Sequence, residues 1–273
     1  MVICSHRRPR GFFSKFVKSY FWLEEEIDSV NAPFQRVTPD GCTEVNFNLG
    51  APVRRKEASG RTFIQDDFYL INRVSQHYFV QQTAQVSMFG IKFQPWGLRP
   101  FIKIKRSEVT DKFLTHEEVF GRNVKVLQEK VLHTINVSDI IATVEDFFVR
   151  ELYDTASDDL LVVDAMQKIL AANGKVDLDR IYSRYGLTPR RIQQRFSDFA
   201  GTSPKMFARL VKFRFALKKL HSITPHGSLT NVAYDAGYYD QSHFIHDFKF
   251  FAGVNPQRYL SNNHTLNLLM AEG

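Results

Sequence analysis

Cysteine is almost absent from this chain, and so are long uninterrupted apolar segments. Only Cys4 and Cys42 occur among 273 residues, which argues against a disulfide framework and provides too few thiols for a four-ligand zinc site. No segment reaches the roughly 18 consecutive apolar residues that a membrane-spanning helix requires. Lys15 and Lys18 interrupt the apolar segment that follows the N-terminal arginines, and no small-residue cleavage site comes after it. We therefore expect a cytoplasmic protein with no membrane partner and no cofactor.

Clusters of catalytic side chains are also missing. A metal-dependent barrel needs several histidine and glutamate ligands on neighbouring strands, but the strand-like segment 34–95 contains His77 as its one histidine. Cys4 lies in a basic N-terminal segment and Cys42 in an apolar one, so neither is typical of an activated nucleophile. His243 and His246 stand one helical turn apart without a third ligand nearby. The sequence therefore predicts neither an enzyme nor a metal site.

Positive charge is present but unevenly placed. The net charge is +7, and 44% of the residues are hydrophobic, which is enough for two domains with substantial cores. Residues 188–219 contain nine lysines or arginines against the single acid Asp198, whereas residues 229–253 contain Lys249 against three aspartates. We expect the first of these segments to supply most of the attraction to a polyanion and the second to supply selectivity.

The C-terminal third of the chain contains the same unit twice. Each copy predicts a short helix, a turn that begins at glycine and a second helix ended by glycine, which is the layout of a helix-turn-helix. The offset grows from 51 to 52 residues near Tyr239, so one extra residue is expected in the second turn. Leu178, Ile181 and Gly186 match Leu229, Val232 and Gly237 at offset 51, and Thr188, Ile192, Phe196, Phe199, Gly201 and Pro204 match Asp240, Phe244, Phe248, Phe251, Gly253 and Pro256 at offset 52.

Helix starts are marked by capping residues. Thr188, Ser203 and Asn255 each precede a proline, whose fixed backbone angle suits the first helical position, and Asp240 stands at the corresponding place in the second unit. Apolar residues follow at helical spacing and predict a small core on one side of each second helix. The opposite side is then available to a ligand.

That opposite side is polar in both units. Arginine and glutamine match the hydrogen-bonding groups of guanine and adenine, and serine and histidine contact several base edges, so both sets suit a DNA major groove. A solvated helix face is the alternative for either helix alone, but the equivalent position of the two sets favours DNA. The outward residues are Arg190, Arg191, Gln193 and Gln194 in the first unit and Gln241, Ser242, His243 and His246 in the second.

Residues 203–222 predict a long helix between the units. An apolar stripe is expected to pack into a core, and a basic stripe that contains Lys205, Arg209, Lys212 and Lys219 is expected to contact phosphates. A helix of this length spans roughly 30 Å, close to the roughly 34 Å of one DNA turn. Such a helix would hold two recognition helices in successive major grooves.

Four segments carry a resemblance to a known family. GLTPRRIQQRF, AGTSPKMF, GYYDQSHFIHDFK and AGVNPQRYL resemble the DNA-binding domain of AraC/XylS-type bacterial transcription regulators over about residues 160–262. The resemblance implies that residues 190, 193 and 194 and residues 241, 242, 243 and 246 contact bases. With Arg191, Lys205, Arg209, Lys212 and Lys249, these residues form the complete set of candidate DNA contacts.

The first 157 residues differ from the C-terminal third in composition and in hydrophobic pattern. Four segments predict strands: CTEVNFNL, TFIQDDFYLI, QHYFVQQ and VSMFGIKFQP. Two apolar stripes at helical spacing follow, namely Phe120, Val124, Leu127 and Val131, and then Ile140, Val144, Phe147 and Phe148. A polar linker is expected at 154–159. The expected fold class is α+β. It consists of a β-rich N-terminal domain with following helices over 1–157 and an all-α domain of two helix-turn-helix units joined by a long helix over 158–273.

PDGCTEVNFNLG and GIKFQPWGLRPFI resemble the N-terminal half of a subset of these regulators. The resemblance implies that this half senses a small molecule or mediates dimerisation. Trp22, Phe47, Tyr69 and Trp96 are candidates either for a pocket or for the core. The expected partners are double-stranded DNA, RNA polymerase, a small-molecule effector and a second copy of the chain. A regulator that answers to a protein partner and an enzyme fused to a DNA-binding module are the alternatives.

Overall fold

The computed structural model describes residues 2–25, 32–72, 75–104, 110–152, 160–222 and 228–261. The linker expected at 154–159 and the domain boundary at 157/158 fall outside these ranges, so the domain limits stay a prediction. In the ranges that are described, no helix combines the length and the hydrophobicity needed to cross a bilayer.

Two antiparallel sheets form the described part of residues 2–115. Ten strands are ordered β1-β2-β9-β4-β7-β10 in a six-stranded sheet and β3-β8-β5-β6 in a four-stranded sheet. Their bounds are β1 Val2–Arg7, β2 Val17–Glu25, β3 Gln35–Val37, β4 Thr43–Asn48, β5 Val53–Glu57, β6 Thr62–Ile64, β7 Phe68–Ile71, β8 Tyr78–Gln82, β9 Val86–Phe93 and β10 Phe113–Thr115.

The β-rich N-terminal domain is confirmed, with two corrections. The segment TFIQDDFYLI is not one strand, because two aspartates interrupt it and its halves, β6 and β7, belong to different sheets. Cys4 does not lie in a basic tail. It lies in β1, which pairs along its whole length with β2, and the basic residues of this segment do not prevent pairing because β1 is an edge strand with room for charged side chains.

Three helices pack on one face of the six-stranded sheet: α1 His116–Phe120, α2 Val124–Leu132 and α3 Val137–Arg150. The odd-numbered residues of β4, Val45 and Phe47, face these helices in the largest hydrophobic core. Phe120 shares that core with Val124 but belongs to a separate helix, because Gly121 ends α1 with a φ of 74°. Phe47 is therefore a core residue and not part of a pocket.

The C-terminal helices follow the predicted duplication. Thr188, Ser203, Asp240 and Asn255 each accept a hydrogen bond from a backbone N–H in the first helical turn, as expected of N-caps. The helices are α4 Leu160–Ala171, α5 Leu178–Ser183, α6 Pro189–Ala200, α7 Pro204–His221, α8 Leu229–Asp235, α9 Gln241–Ala252 and α10 Pro256–Leu260.

Helix α7 belongs to two hydrophobic cores. Its N-terminal half contributes Phe207 and Val211 to the core of the first helix-turn-helix unit, with Ile192 and Phe196 of α6. Its core contacts with the second unit begin at Leu210 and continue through Phe213, Leu217 and Leu220. Because α7 is buried in both clusters, it fixes the two units relative to each other.

Candidate DNA-binding site

Helix α6 has one buried and one exposed face. Ile192 and Phe196 are fully buried, which turns the residues between them outward. Gln194 donates a hydrogen bond to both carboxylate oxygens of Asp198, each at 3.1 Å, and this local bond orients its amide along the helix surface. The predicted residues Arg190, Arg191, Gln193 and Gln194 are all exposed.

Helix α9 repeats this arrangement without any arginine. Asp240 caps the helix by accepting from the backbone N–H of His243 at 2.7 Å. Gln241 is half-buried, and its amide oxygen accepts a hydrogen bond from Thr230 of α8 at 2.7 Å. The His243 ring stands edge-on to Tyr238, with 5.3 Å between the ring centroids. Ser242, His243, His246 and Lys249 are exposed.

The two turns differ by the one residue that the sequence predicted. Gly186 and Gly237 both adopt the left-handed conformation, with φ of 60° and 78°, which other residues adopt only with strain. Thr188 follows its glycine by two residues and Asp240 follows its glycine by three. Both recognition helices nevertheless begin at a capped position after a left-handed glycine.

The residues of the predicted basic stripe on α7 differ in exposure and in their bonding partners. Lys205 is exposed, whereas Arg209 and Lys212 are half-buried. Lys212 donates to the backbone oxygen of Gly237 at 3.1 Å, and burial lowers its pKa below the ordinary value for lysine. Lys219 lies 3.3 Å from Asp235 of α8. Phosphate contact by Arg209 and Lys212 therefore stays a prediction, and both side chains already bond to groups of the second unit.

Arg209 joins α7 to α9 through an ion pair. Its Nη2 lies 2.7 Å from Oδ1 of Asp247, whose side chain is 2% exposed, while the side chain of Arg209 is 28% exposed. The guanidinium also lies over the Phe250 ring, 5.2 Å from the centroid. In the sequence, Asp247 is one of the three aspartates that outnumber Lys249 in residues 229–253. The structure places the Asp247 side chain on the buried face of α9, where it pairs with Arg209. Its negative charge is therefore compensated within the domain.

The β-sheet domain contacts the C-terminal ends of both recognition helices. Thr110 donates through its hydroxyl to the backbone oxygen of Gly201, which ends α6, at 3.1 Å. Arg36 of β3 donates to the backbone oxygen of Ala252, the last residue of α9. These contacts join residues 91 and 216 positions apart, and no local pattern in the sequence predicts them.

His77 packs against Gly253 at this interface. A Cβ atom built on Gly253 would lie 2.1 Å from Cε1 of the His77 ring, so only glycine leaves room for the imidazole. Burial, and then the nearby charge of Arg36, lower the pKa of His77 to about 4. The ring is thus neutral at neutral pH. Among the described residues, no group of three or more histidine, cysteine or acidic side chains is arranged to hold a metal ion.

Two known sequence profiles match parts of this chain. Residues 181–262 match the sequence profile of a helix-turn-helix domain, and residues 5–115 match a domain of unknown function, DUF6597. None of the curated protein sequences matches the chain at a significant level.

Solved structures are similar to this chain at low identity. One crystal form of ToxT from Vibrio cholerae is 14% identical, with 89% of this chain and 98% of that chain covered and a TM-score of 0.48. ToxT with a bound unsaturated fatty acid is 12% identical, with 88% and 94% covered and a TM-score of 0.46. A putative ethanolamine utilisation protein Q from Salmonella typhimurium is 11% identical, covers 34% of this chain and 68% of its own, and gives a TM-score of 0.25.

The helix-turn-helix match covers both repeated units. It begins at Ile181 in α5 and ends just after α10, so it includes both recognition helices and the connecting helix α7. The capped, outward-facing helices α6 and α9 lie inside this range. The chain therefore carries an AraC-type helix-turn-helix domain over residues 181–262.

Proposed function

We propose that α6 and α9 read two successive major grooves on one face of the DNA, and that the β-sheet domain regulates this reading. The observation that carries the proposal is the equivalence of the two helices. Each begins at a side-chain cap after a left-handed glycine, buries its apolar face and exposes a polar set. A helix presented in this way is the element that enters a major groove in helix-turn-helix proteins.

The connecting helix supports the two-groove geometry. Helix α7 has 18 residues, about 27 Å at ~1.5 Å per residue, and a turn of DNA rises roughly 34 Å. Since α7 is anchored in the core of each unit, it acts as a rigid spacer. One chain then contacts both grooves without a second copy.

Charge suggests how the two helices divide the recognition of DNA. Arg190 and Arg191 on α6 combine base recognition with attraction to phosphate, so α6 contributes to affinity for any sequence. Ser242 and His243 on α9 are exposed, and α9 contains no arginine. We propose that α9 contributes mainly to base preference, with Lys205 and Lys249 as further phosphate contacts.

Regulation would act through the ends of the recognition helices. The β-sheet domain bonds to Gly201 at the end of α6 and to Ala252 at the end of α9, so a shift of that domain changes the orientation of both helices at once. A small molecule bound in the β-sheet domain or a second copy of the chain is a suitable trigger. RNA polymerase is the further partner that a transcription regulator requires. We keep the division into a regulatory domain over 1–157 and a DNA-binding domain over 158–273.

Footprinting of the full chain on genomic DNA tests the reading of two grooves. The protected site should cover about 20 base pairs, two successive helical turns, on one face. Arg190→Ala should weaken protection, whereas Arg54→Ala, which removes an exposed arginine from the β-sheet domain, should leave it unchanged. Protection of a single turn would reject the two-groove geometry.

Thr110→Val tests the regulatory contact with a near-isosteric change. Loss of one hydrogen bond, worth about 0.5–1.5 kcal/mol, should weaken binding to the specific site roughly two- to tenfold. Thr62→Val is the matched control because Thr62 is exposed on β6. Equal affinities for the two variants and the parent would show that the contact at Gly201 does not influence DNA binding.

A further inference from the structure

Asp198 is the one acidic residue in a strongly basic segment. Residues 188–219 contain nine lysines or arginines and this single aspartate, which stands on the recognition helix α6. A carboxylate in this place weakens the attraction of the helix to phosphate. Its presence on α6 is therefore better explained by what the carboxylate contacts than by affinity for DNA.

Asp198 lies one helical turn after Gln194 and holds its amide. Nε2 of Gln194 lies 3.1 Å from each oxygen of the Asp198 carboxylate, and a glutamine–aspartate pair at this spacing is favourable on a helix surface. An ionised carboxylate only accepts hydrogen bonds, so the end of the amide that faces it must be the amino group. The contact therefore determines which end of the Gln194 amide points to Asp198.

The carbonyl oxygen of Gln194 is the group that remains for DNA. Oε1 and Nε2 project in different directions from the same carbon, so an amino group held by Asp198 leaves the oxygen directed away from that carboxylate. Gln194 is exposed, and Ile192 and Phe196 on the opposite face are fully buried. In the major groove, an acceptor pairs with the amino groups of adenine and cytosine, whereas guanine and thymine present carbonyl oxygens at the corresponding places.

Asp198 also changes how Gln194 treats adenine. A glutamine that pairs with adenine through two hydrogen bonds uses its oxygen for the N6 amino group and its own amino group for N7. The Asp198 carboxylate competes with N7 for the amino group of Gln194. The bond through Oε1 is unaffected, and adenine and cytosine can both form it.

Gln241 on α9 has a different kind of partner. The hydroxyl of Thr230 on α8 donates to the amide oxygen of Gln241 at 2.7 Å. A hydroxyl also accepts hydrogen bonds, so it can bond to either end of an amide. The amide of Gln241 can therefore turn over and keep its partner, whereas that of Gln194 would lose its partner on turning.

We propose that Asp198 is a positioning residue that directs the carbonyl oxygen of Gln194 to the DNA bases. Gln194 then selects a base that carries an amino group in the major groove, adenine or cytosine, over guanine or thymine. This inference rests on the proposed function, because it requires α6 to lie in a major groove. It gives the single acid of the basic segment a role in base preference, although its charge lowers the affinity for any DNA.

Base analogues in a DNA duplex test which atom Gln194 contacts. Selection of bound duplexes from a randomised pool, by the full chain and by Gln194→Ala, first locates the base pair whose preference this substitution removes. Replacing adenine there by purine, which lacks the exocyclic amino group, should weaken binding of the parent chain roughly two- to tenfold, the value of one hydrogen bond. 7-Deazaadenine, which lacks N7, should bind as adenine does. In Gln194→Ala, the purine duplex should cause no loss. A loss with 7-deazaadenine but not with purine would overturn the assigned orientation.

Asp198→Asn tests whether the carboxylate sets this preference. An asparagine amide offers Gln194 either a donor or an acceptor, so guanine and thymine should then bind within about twofold of adenine and cytosine. Affinity for scrambled DNA should rise rather than fall, because a negative charge is removed. A residue that only supported the fold would not change the two quantities in this way. Asp179→Asn is the matched control, since it removes an exposed acid on α5 and should leave the base preference unchanged.

The outcomes separate this inference from the proposed function. The parental base preference in Asp198→Asn would overturn the role of Asp198. A Gln194→Ala pool identical to the parental pool would show that Gln194 contacts no base, and a protected site of two turns would then leave the proposed function in place. Failure of the parent chain to select any sequence would reject the proposed function, and this inference with it. If Asp198→Asn does not fold, the base analogues on the parent chain still decide.

Discussion

Arg209 on α7 and Asp247 on α9 lie 38 residues apart in sequence and form a largely buried ion pair at 2.7 Å. The pair ties the connecting helix to the second recognition helix. A buried carboxylate that loses its partner is still removed from water but no longer has a compensating charge. Removal of one side chain therefore lowers the free energy of unfolding by more than the intact pair contributes to it.

Arg209→Ala should therefore destabilise the C-terminal domain by about 3–5 kcal/mol. Urea unfolding of the full chain measures this loss. Lys205→Ala is the matched control on the same helix, because Lys205 is exposed and its removal should change stability by less than about 0.5 kcal/mol. Similar unfolding free energies for the two variants would contradict a structural role for Arg209.

Lys205→Ala should instead affect DNA binding through salt. If its ammonium contacts one phosphate, the slope of log affinity against log salt falls by about 0.9, and affinity falls alike for specific and scrambled DNA. Titrations at several salt concentrations measure the slope. An unchanged slope would show that this end of α7 does not touch the DNA backbone.

The two recognition helices should respond differently to substitution. Arg190→Ala should cost about 1–3 kcal/mol at the specific site and weaken binding to scrambled DNA as well, since arginine supplies both base contacts and attraction. Ser242→Ala combined with His243→Ala should relax base preference in one half of the site and leave scrambled DNA unaffected. Binding to both DNAs at one fixed salt concentration separates these effects. Equal losses on both DNAs for the α9 variant would show that this helix contacts mainly the backbone.

Gly253→Ala and Gly186→Ala form a matched pair. Both glycines have positive φ, 73° and 60°, so each alanine pays about 1–2 kcal/mol for the left-handed conformation. Nothing lies within 4 Å of a Cβ at Gly186, whereas His77 lies 2.1 Å from a Cβ at Gly253. Gly253→Ala should thus cost more in urea unfolding, and His77→Ala should recover the difference in a double-mutant cycle. Equal costs would place His77 away from this helix end.

Lowering the pH should reduce the free energy of unfolding because His77 and His116 are buried in their neutral form. Burial is the main reason that the pKa of each falls to about 4 from the ordinary 6.5. The unfolded chain then binds protons at a higher pH than the folded chain, so their contribution is complete above about pH 6.5 and is lost as the pH falls toward 4.

Urea unfolding between pH 7.5 and 4.5 checks this dependence. His77→Gln should reduce the loss of stability over that interval, and His243→Gln, at an exposed site, should not. An identical pH profile for His77→Gln and the parent chain would mean that this imidazole binds its proton at the same pH in the folded and the unfolded chain.

Local features of the site could be predicted from the sequence, and long-range ones could not. The caps Thr188 and Asp240 act on backbone groups three residues away, so a short segment contains all the information. The partners of Arg209 and Arg36 stand 38 and 216 residues away, and periodicity assigns a side chain to a face without naming its neighbour. Arg209 was therefore placed with the phosphate-binding lysines, although its nearest acid is buried in the same domain.

The β-sheet domain shows the same limit. β-branched and aromatic residues between turn signals correctly predicted β4, β8 and β9, but they did not show which face of β4 meets the helices and which meets the second sheet. That distinction depends on strand order, which brings β9 and β7 to the two sides of β4. The side chains of Glu44, Asn46 and Asn48 lie between the two sheets, and a single strand considered alone cannot show this.

The embedding of α7 in two cores has a consequence for the DNA sites this chain accepts. An inserted residue within a straight helix rotates everything beyond it by about 100° and advances it by ~1.5 Å. Such an insertion in α7 would turn α9 away from the groove that α6 leaves open to it. If α6 and α9 read two successive grooves, as proposed, the protein itself sets the distance between the two halves of a binding site. A promoter that gains or loses one base pair between them would then present its second half at the wrong angle.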